Sequence, residues 1–280
     1  MNAHEPLIIT SYLGRNPHAV ARLVQLSEYL SIPVYQSCPS TVNIPHSHPH
    51  FVDISFGIGT NTWLKTADVV LIIDSDIPYI PVHNKPRSDA QIFHIDVDVL
   101  KENMGMFHID AMLRCKADAE LALTQILQAL PESTEMTDRL ERDKRLRSNQ
   151  ISRLSNLNFA EDIFPADGSF TVPNILGVLR KAIPKSTLIL NEGISNYPLV
   201  WNHMRPDVPG SMFSSGSSSL GWGLGAAIGA SLGDKFTSRK FELIVLIVGD
   251  GSFLFGVPSS AYWIARRYNT VSRMISRSAI

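Results

Sequence analysis

The chain has 280 residues, of which 44% are hydrophobic and 18% charged, and its formal charge is −1. That length can carry two domains with proper cores, the composition is that of a globular α/β protein, and the near-neutral charge lacks the basic footprint of a general nucleic-acid binder. Cys38 and Cys115 are the only cysteines, which excludes a disulfide framework and fits a reducing compartment.

No apolar run approaches the roughly 20 residues that span a bilayer. The start, MNAHEPLIIT, has neither the basic opening nor the long apolar core of a signal peptide. These features lead to the expectation of a cytoplasmic protein without a membrane partner. Organellar targeting stays open if residues once preceded Met1.

Leu7–Thr10 reads as a short buried strand, and Pro17–Leu30 as an amphipathic helix with Ala19, Leu23, Leu26 and Leu30 at helical spacing, widened by Val20 and Val24. Pro33–Tyr35 begins a second strand, Ala67–Asp74 is the clearest strand of this half, and Gln91–Val97 is another. Lys116–Leu130 has a second helical pattern. Strands alternating with helices predict a mostly parallel sheet covered on both faces.

Residues 131–165 are charged and poor in large apolar side chains. The i,i+4 pairs Asp138/Arg142 and Glu141/Arg145 predict a solvated linker helix. A second domain then starts. Pro173–Ile183 reads as a helix with proline in its first turn, and Thr187–Leu190 as a strand running into Asn191-Glu192-Gly193. Tyr197–Met204 reads as a short helix, Ser214–Ser219 as a Gly/Ser loop, Leu220–Leu232 as a small-residue helix and Ser259–Tyr268 as a helix. The expected domains are 1–130, a linker over 131–165, and 166–280.

Phe241–Val248 is almost wholly apolar or β-branched, the mark of a strand buried on both faces. It ends at Gly249-Asp250-Gly251-Ser252. The glycines let the backbone turn and approach a ligand closely, and Asp250 stands at the carboxyl end of a strand, where open α/β sheets bind ligands. A hard cation such as Mg²⁺ takes oxygen ligands of this kind and bridges to phosphate. The plainer reading is a strand-to-loop turn with a helix-capping Asp or Ser.

GDGS after an apolar strand, NEGIS over 191–195, and PGSMFSSGSSSLGWGLGAAIGASLG over 209–233 together resemble the thiamine-diphosphate enzymes, nearest to the acetolactate synthase and benzoylformate decarboxylase branch. Residues 5–130 resemble that family's middle domain. The implied fold is α/β, with two Rossmann-like parallel-sheet domains, the second truncated. The implied cofactors are thiamine diphosphate and Mg²⁺, the implied substrate is a small-molecule 2-oxo acid, and the implied reaction is its decarboxylation or an acyloin- or acetolactate-type carboligation. By this resemblance Gly249, Asp250, Gly251 and Ser252 hold the diphosphate and its metal, with Asp250 as metal ligand. Asn191, Glu192 and Gly193 contact the diphosphate or the pyrimidine. Ser219 lies in the cofactor loop, and Leu220 is the bulky residue that wedges between the two rings.

The chain also departs from the pattern. Ile194 stands where relatives often carry a hydroxyl, Ser217-Ser218-Ser219 where many have Gly-Gly, and Gly225 where many have Pro. The family takes a second metal ligand, usually Asn, some 25–30 residues past the Asp. Here the last asparagine is Asn269, and Thr270–Ile280 is a polar run. The family's pyrimidine-binding domain has no counterpart. The expectation is therefore a family fragment, a homo-oligomer in its intact form, with apolar surface around Leu220–Leu232 left for a missing partner domain. Two other readings are a catalytically inactive fragment and a flavin- or nucleotide-binding module built on 1–130.

His83, after the Ala67–Asp74 strand, is a candidate because one decarboxylase branch places a histidine near there; a solvated loop residue is the plainer reading. Asp96 and Asp98 resemble the D-x-D strand end of the middle domain, which binds FAD or a nucleotide in some relatives and nothing in others. Gly57–Asn61 is not a dinucleotide fingerprint, so no nicotinamide cofactor is expected. Cys38, His46, His48 and His50 carry zinc-ligand chemistry, but their alternate spacing in a proline-broken loop splays the side chains apart.

Overall fold

The computed structural model describes residues 3–57, 59–101, 110–131, 137–216, 219–238, 241–270 and 273–277. The chain divides into two compact units, 1–156 and 157–280.

The first unit is a six-stranded parallel sheet. Its strands are β1 (Pro6–Thr10), β2 (Val34–Ser37), β3 (Phe51–Ser55), β4 (Val69–Ile73), β5 (Gln91–Asp96) and β6 (Leu113–Lys116), in the order β3-β2-β1-β4-β5-β6. Every residue of β1 is buried, as expected of a central strand covered on both faces. Its register to β4 runs from Pro6 against Val69 to Thr10 against Ile73. Helices α1 (Pro17–Leu30), α2 (Thr62–Thr66) and α3 (Ala119–Ala129) cover the sheet. Asn16 caps α1 by accepting from the His18 N–H, with Pro17 in the first turn. The core gathers Leu7, Ile9, Val52, Leu64, Val70, Ile72, Ile92 and also Leu146.

Leu146 belongs to α4 (Thr137–Asp162), and it corrects the expectation of a solvated linker helix. Leu146 is fully buried, and Arg142 and Gln150 nearly so. The Arg142 guanidinium donates to the main-chain carbonyls of Leu30 (2.8 Å), Ser31 (2.9 Å) and His4 (3.1 Å). For Leu30 and Ser31 it thereby supplies donors to carbonyls at the C-terminal end of α1, which lack N–H partners within the helix. Arg145 pairs with Glu5, while Glu141 accepts from Lys144 instead.

The second unit is built on the parallel strands β7 (Thr187–Glu192), β8 (Met212–Ser214), β9 (Leu243–Gly249) and β10 (Arg273–Arg277), in the order β10-β9-β7-β8. The polar run 270–280 gave no strand pattern, yet Arg273–Arg277 adds to β9 with Ile275 opposite Ile247. Helices α5 (Val172–Ala182), α6 (Tyr197–Met204), α7 (Trp222–Asp234), α8 (Asp250–Phe255) and α9 (Pro258–Arg267) complete it. Leu188, Leu190, Leu224, Ala227, Ile228, Leu246 and Val248 form the core. A capping box between Thr171 and Asn174 starts α5. Glu161, in the last turn of α4, is buried and accepts from Arg180 (2.6 Å) and Arg205 (2.7 Å), with His203 at 3.0 Å.

Candidate functional site

Both sheets reverse strand order beside their first strand. β1 has β2 on one side and β4 on the other; β7 has β8 on one side and β9 on the other. In open α/β sheets the crevice at the carboxyl ends of such strands is where ligands bind. Each unit therefore offers one place to look.

In the second unit Glu192 of β7 lies in register with Val248 of β9, so the sequence-selected residues 191–193 and 249–252 meet at one sheet end. Asn191 is fully buried; its Oδ1 accepts from the Gly193 N–H (3.0 Å), and its Nδ2 has no partner. A buried, unsatisfied amide donor is costly unless something accepts from it. Gly249 ends β9, and Asp250 opens α8 with its side chain exposed. A Cβ on Gly251 would meet nothing within 4 Å. The first N–H groups of α8 have no acceptor within the helix. Ser252 is buried. Ser219 is exposed, as is Leu220 at 40%; Ser217 and Ser218 lie outside the described residues.

Glu192 stands differently from its neighbours. Its carboxylate accepts from the main-chain N–H groups of Gly221 (2.6 Å), Trp222 (3.0 Å) and Gly223 (2.6 Å). No local pattern announces this bond, because a carboxylate at a strand end reads equally well as a ligand contact and its partners lie some thirty residues on.

Beside β8, Tyr197 Oη and Ser215 Oγ are 2.9 Å apart, and Trp201 Nε1 donates to Ser214 Oγ (3.0 Å). These bonds fix α6 against the end of the strand. The expected apolar surface around Leu220–Leu232 takes another form. On α7 the exposed positions include Gly225, Gly229 and Gly233, whereas the large exposed apolar residues include Leu254 and Phe255 on α8, Val257 between the helices and Trp263 on α9.

In the first unit the same crevice is closed by the chain itself. The Ser11 and Tyr12 N–H groups donate to the Asp74 carbonyl, and Ser11 Oγ lies 2.7 Å from Ser75 Oγ. Lys101 Nζ donates to Asp96 Oδ2 (2.7 Å), Asp76 Oδ1 (2.9 Å) and Tyr12 Oη (2.7 Å), and Tyr12 in turn donates to Asp96 Oδ2 (2.6 Å). Burial pushes the Asp96 carboxyl up, but the His94 ring 3.7 Å away and hydrogen bonds from Lys101 and Tyr12 outweigh it and hold the group well below the usual carboxylate range. Asp74 goes the other way: burial pushes it up to about 6, with Arg15 only partly offsetting. Its Oδ1 has no partner, and its backbone is left-handed at φ 46°. Asp98 donates its N–H to Asp96 Oδ1 (2.9 Å).

His83 lies exposed on a turn after β4, where its N–H donates to the Ile80 carbonyl. The other sequence-selected histidines differ in their side-chain partners, although the His48 and His50 rings pack edge to face with centroids 5.1 Å apart. His46 Nε2 contacts Gln36 Nε2 (2.9 Å), His48 contacts Glu28 (3.2 Å), and His50 sits between Ser27 Oγ (2.9 Å) and Asp143 Oδ1 (3.0 Å). Ser27 donates its hydroxyl proton to the Ile32 carbonyl (2.7 Å), so this buried Ser–His–Asp set holds α1, the β2–β3 connection and α4 together. A groove of about 610 Å³ lined by Arg22, Glu28, Tyr29, Leu127 and Arg139 lies on a helix face rather than at a strand end. Among the described residues no group of three His, Cys, Asp or Glu could hold a metal ion, and no helix is long and apolar enough to cross a membrane.

Comparison with known proteins matches two stretches of the chain to one enzyme family. Residues 1–126 match the thiamine pyrophosphate enzyme central domain, and residues 193–275 its C-terminal TPP-binding domain. A 3D-(3,5/4)-trihydroxycyclohexane-1,2-dione hydrolase of Clostridium perfringens is 24% identical over 91% of this chain and 42% of its own length. Benzoylformate decarboxylase of Pseudomonas aeruginosa is 24% identical over 91% of this chain and 44% of its own. The crystal structure of benzoylformate decarboxylase from Polynucleobacter necessarius shares the fold with a TM-score of 0.76 at 20% identity, over 99% of this chain and 49% of that one. A thiamine diphosphate-dependent 4-hydroxybenzoylformate decarboxylase of Rhodococcus jostii does so with a TM-score of 0.73. The chain thus spans less than half the length of these relatives. With its central and cofactor-binding domains both matched and in the family's order, the chain belongs to the thiamine pyrophosphate enzyme family.

Proposed function

We propose that the crevice between β7 and β9 binds thiamine diphosphate, and that the protein takes part in the decarboxylation of a 2-oxo acid. The observation that carries this reading is the pairing of an open, glycine-lined strand end with the unsatisfied Asn191 Nδ2, inside the part of the chain that matches the family's cofactor domain. The donor set suits an anionic ligand. The N–H groups at the start of α8 and the Asn191 amide would receive the diphosphate, and Asp250 would hold Mg²⁺ together with diphosphate oxygens and water.

When bound, thiamine diphosphate supplies the electron sink for cleavage next to the 2-oxo carbonyl. The chain's own residues orient it: Gly249 and Gly251 leave room at the phosphate end, and Leu220 presents an exposed apolar side chain for the rings. The similarity to benzoylformate decarboxylases favours release of an aldehyde over joining to a second carbonyl compound.

We propose further that the apolar face carrying Leu254, Phe255 and Trp263 is covered by another domain or subunit. A monodisperse monomer in light scattering, with no apolar-dye binding, would count against this. The cofactor reading is tested by titrating thiamine diphosphate with Mg²⁺ into the purified chain and into Asp250→Ala. Mg²⁺-dependent binding that the substitution abolishes is the expected result; no binding to the wild-type chain would sink the proposal.

A further inference from the structure

Glu192 ends β7 with its side chain fully buried. Its Oε1 accepts from the Gly221 (2.6 Å) and Trp222 (3.0 Å) N–H groups, and its Oε2 from Gly223 (2.6 Å). The first N–H groups of a helix need outside acceptors, and the positive end of the helix dipole favours an anion there. A helix usually takes that acceptor from the residue just before it. In α7 that residue is Gly221, held at φ 98°, and it offers no side chain. The acceptor comes instead from a strand some thirty residues earlier.

The seat is close-fitting. A Cβ on Gly223 would lie 2.6 Å from Glu192 Oε2 and 2.7 Å from Leu246 Cδ1. Leu220, 40% exposed, is covalently joined to the first of the three bonded residues. At the other side of the crevice, Gly249 to Ser252 take their position from β9 and α8 without any contact through the Glu192 carboxylate.

We propose that Glu192 is a positioning residue: it does not touch the cofactor but locks Leu220 and the start of α7 to the end of β7, so that the ring end of the ligand meets a preformed wall. The phosphate end is fixed separately by the β9–α8 turn. This rests on the reading of the crevice as a thiamine diphosphate site. It implies that the two ends of the ligand can be uncoupled by changing one carboxylate.

The test uses the full chain with Mg²⁺ and two probes, thiamine diphosphate and inorganic pyrophosphate, titrated calorimetrically into wild type and Glu192→Gln. The amide keeps the shape but turns an NH₂ toward some of the same N–H donors. Thiamine diphosphate affinity should fall about tenfold or more, while pyrophosphate affinity stays within about twofold. Amide hydrogen exchange over 220–224 should quicken about tenfold or more, with 187–191 unchanged.

Equal thiamine diphosphate affinity in the two proteins overturns the proposal, and so does an equal loss of both ligands, which would make Glu192 merely structural. If Glu192→Gln does not fold, Glu192→Asp, which keeps the charge on a shorter arm, carries the same comparison. A wild-type chain that binds pyrophosphate but not thiamine diphosphate refutes the thiamine reading itself, and the positioning role with it.

Discussion

Where each sheet reverses its strand order, the first unit brings Tyr12, Asp76, Asp96 and Lys101 into mutual contact, and the second brings Gly249, Gly251 and an unsatisfied Asn191 amide to the same topological place. Topology puts a crevice in both. Side chains at the strand ends decide whether it is filled from within or left for a ligand. One chain therefore carries the same reversal of strand order twice, in sheets of different size, with different residue types at the strand ends beside it.

That contrast can be broken most forcefully from the filled side. Lys101→Met strands the buried Asp96 carboxylate without its cation and should destabilise the first unit by about 3 kcal/mol. Hydrogen exchange would show β4 loosening while β9 keeps its protection; equal loosening of both would mean that the two crevices are not independently held. Gly223→Ala attacks the wall of the open crevice, where a methyl meets Glu192 and Leu246. It should lower stability by about 2 kcal/mol, read as a fall in the urea midpoint.

Gly251→Ala sharpens the comparison. Its methyl meets open space, so stability should hold or rise by up to about 1 kcal/mol, while pyrophosphate affinity falls about tenfold because the space belongs to the ligand. A drop in stability instead would show that the crevice is packed.

The smallest effect belongs to Asp74. Its carboxyl, raised to about 6, binds a proton more readily folded than unfolded, where the value is about 3.9. The stability it contributes is therefore fully present below about pH 4 and is lost as pH rises through about 6. Asparagine tolerates the left-handed backbone there. Asp74→Asn should gain about 1 kcal/mol at pH 7 after allowance for solvent screening near Arg15. Asp96, held low, works in the opposite sense: its stabilisation is present above about pH 4 and lost below it. The advantage of the variant over wild type should therefore shrink as pH falls from 7 to 4, as urea midpoints at pH 4, 5 and 7 would reveal.

The central strands were legible because Val69–Ile73 and residues 243–248, the cores of the predicted strands, read as unbroken apolar runs. Edge and short strands gave no such pattern. All four residues of β6 (Leu113–Lys116) are exposed, β8 has three residues, and β10 is polar in sequence. The members of the candidate crevice could be named because glycine and aspartate after a buried strand form a local pattern. Their division of labour could not. Glu192 bonds to residues far along the chain, and Lys101 closes the other crevice through Tyr12, 89 residues away. Contacts of that separation leave no periodicity to read.

The helix over Thr137–Asp162 carries a practical lesson for anyone dividing the molecule. Composition invites a cut near residue 131, yet a piece ending there would lose Leu146 from its core and leave the carbonyls of Leu30 and Ser31 without the Arg142 guanidinium. Glu161, near the other end of the helix, pairs with two arginines of the second unit. Two pieces trimmed to exclude the whole charged stretch 131–165 would thus both be wounded. A boundary drawn at 156, where the compact units meet along the sequence, returns each anchor to the part that uses it.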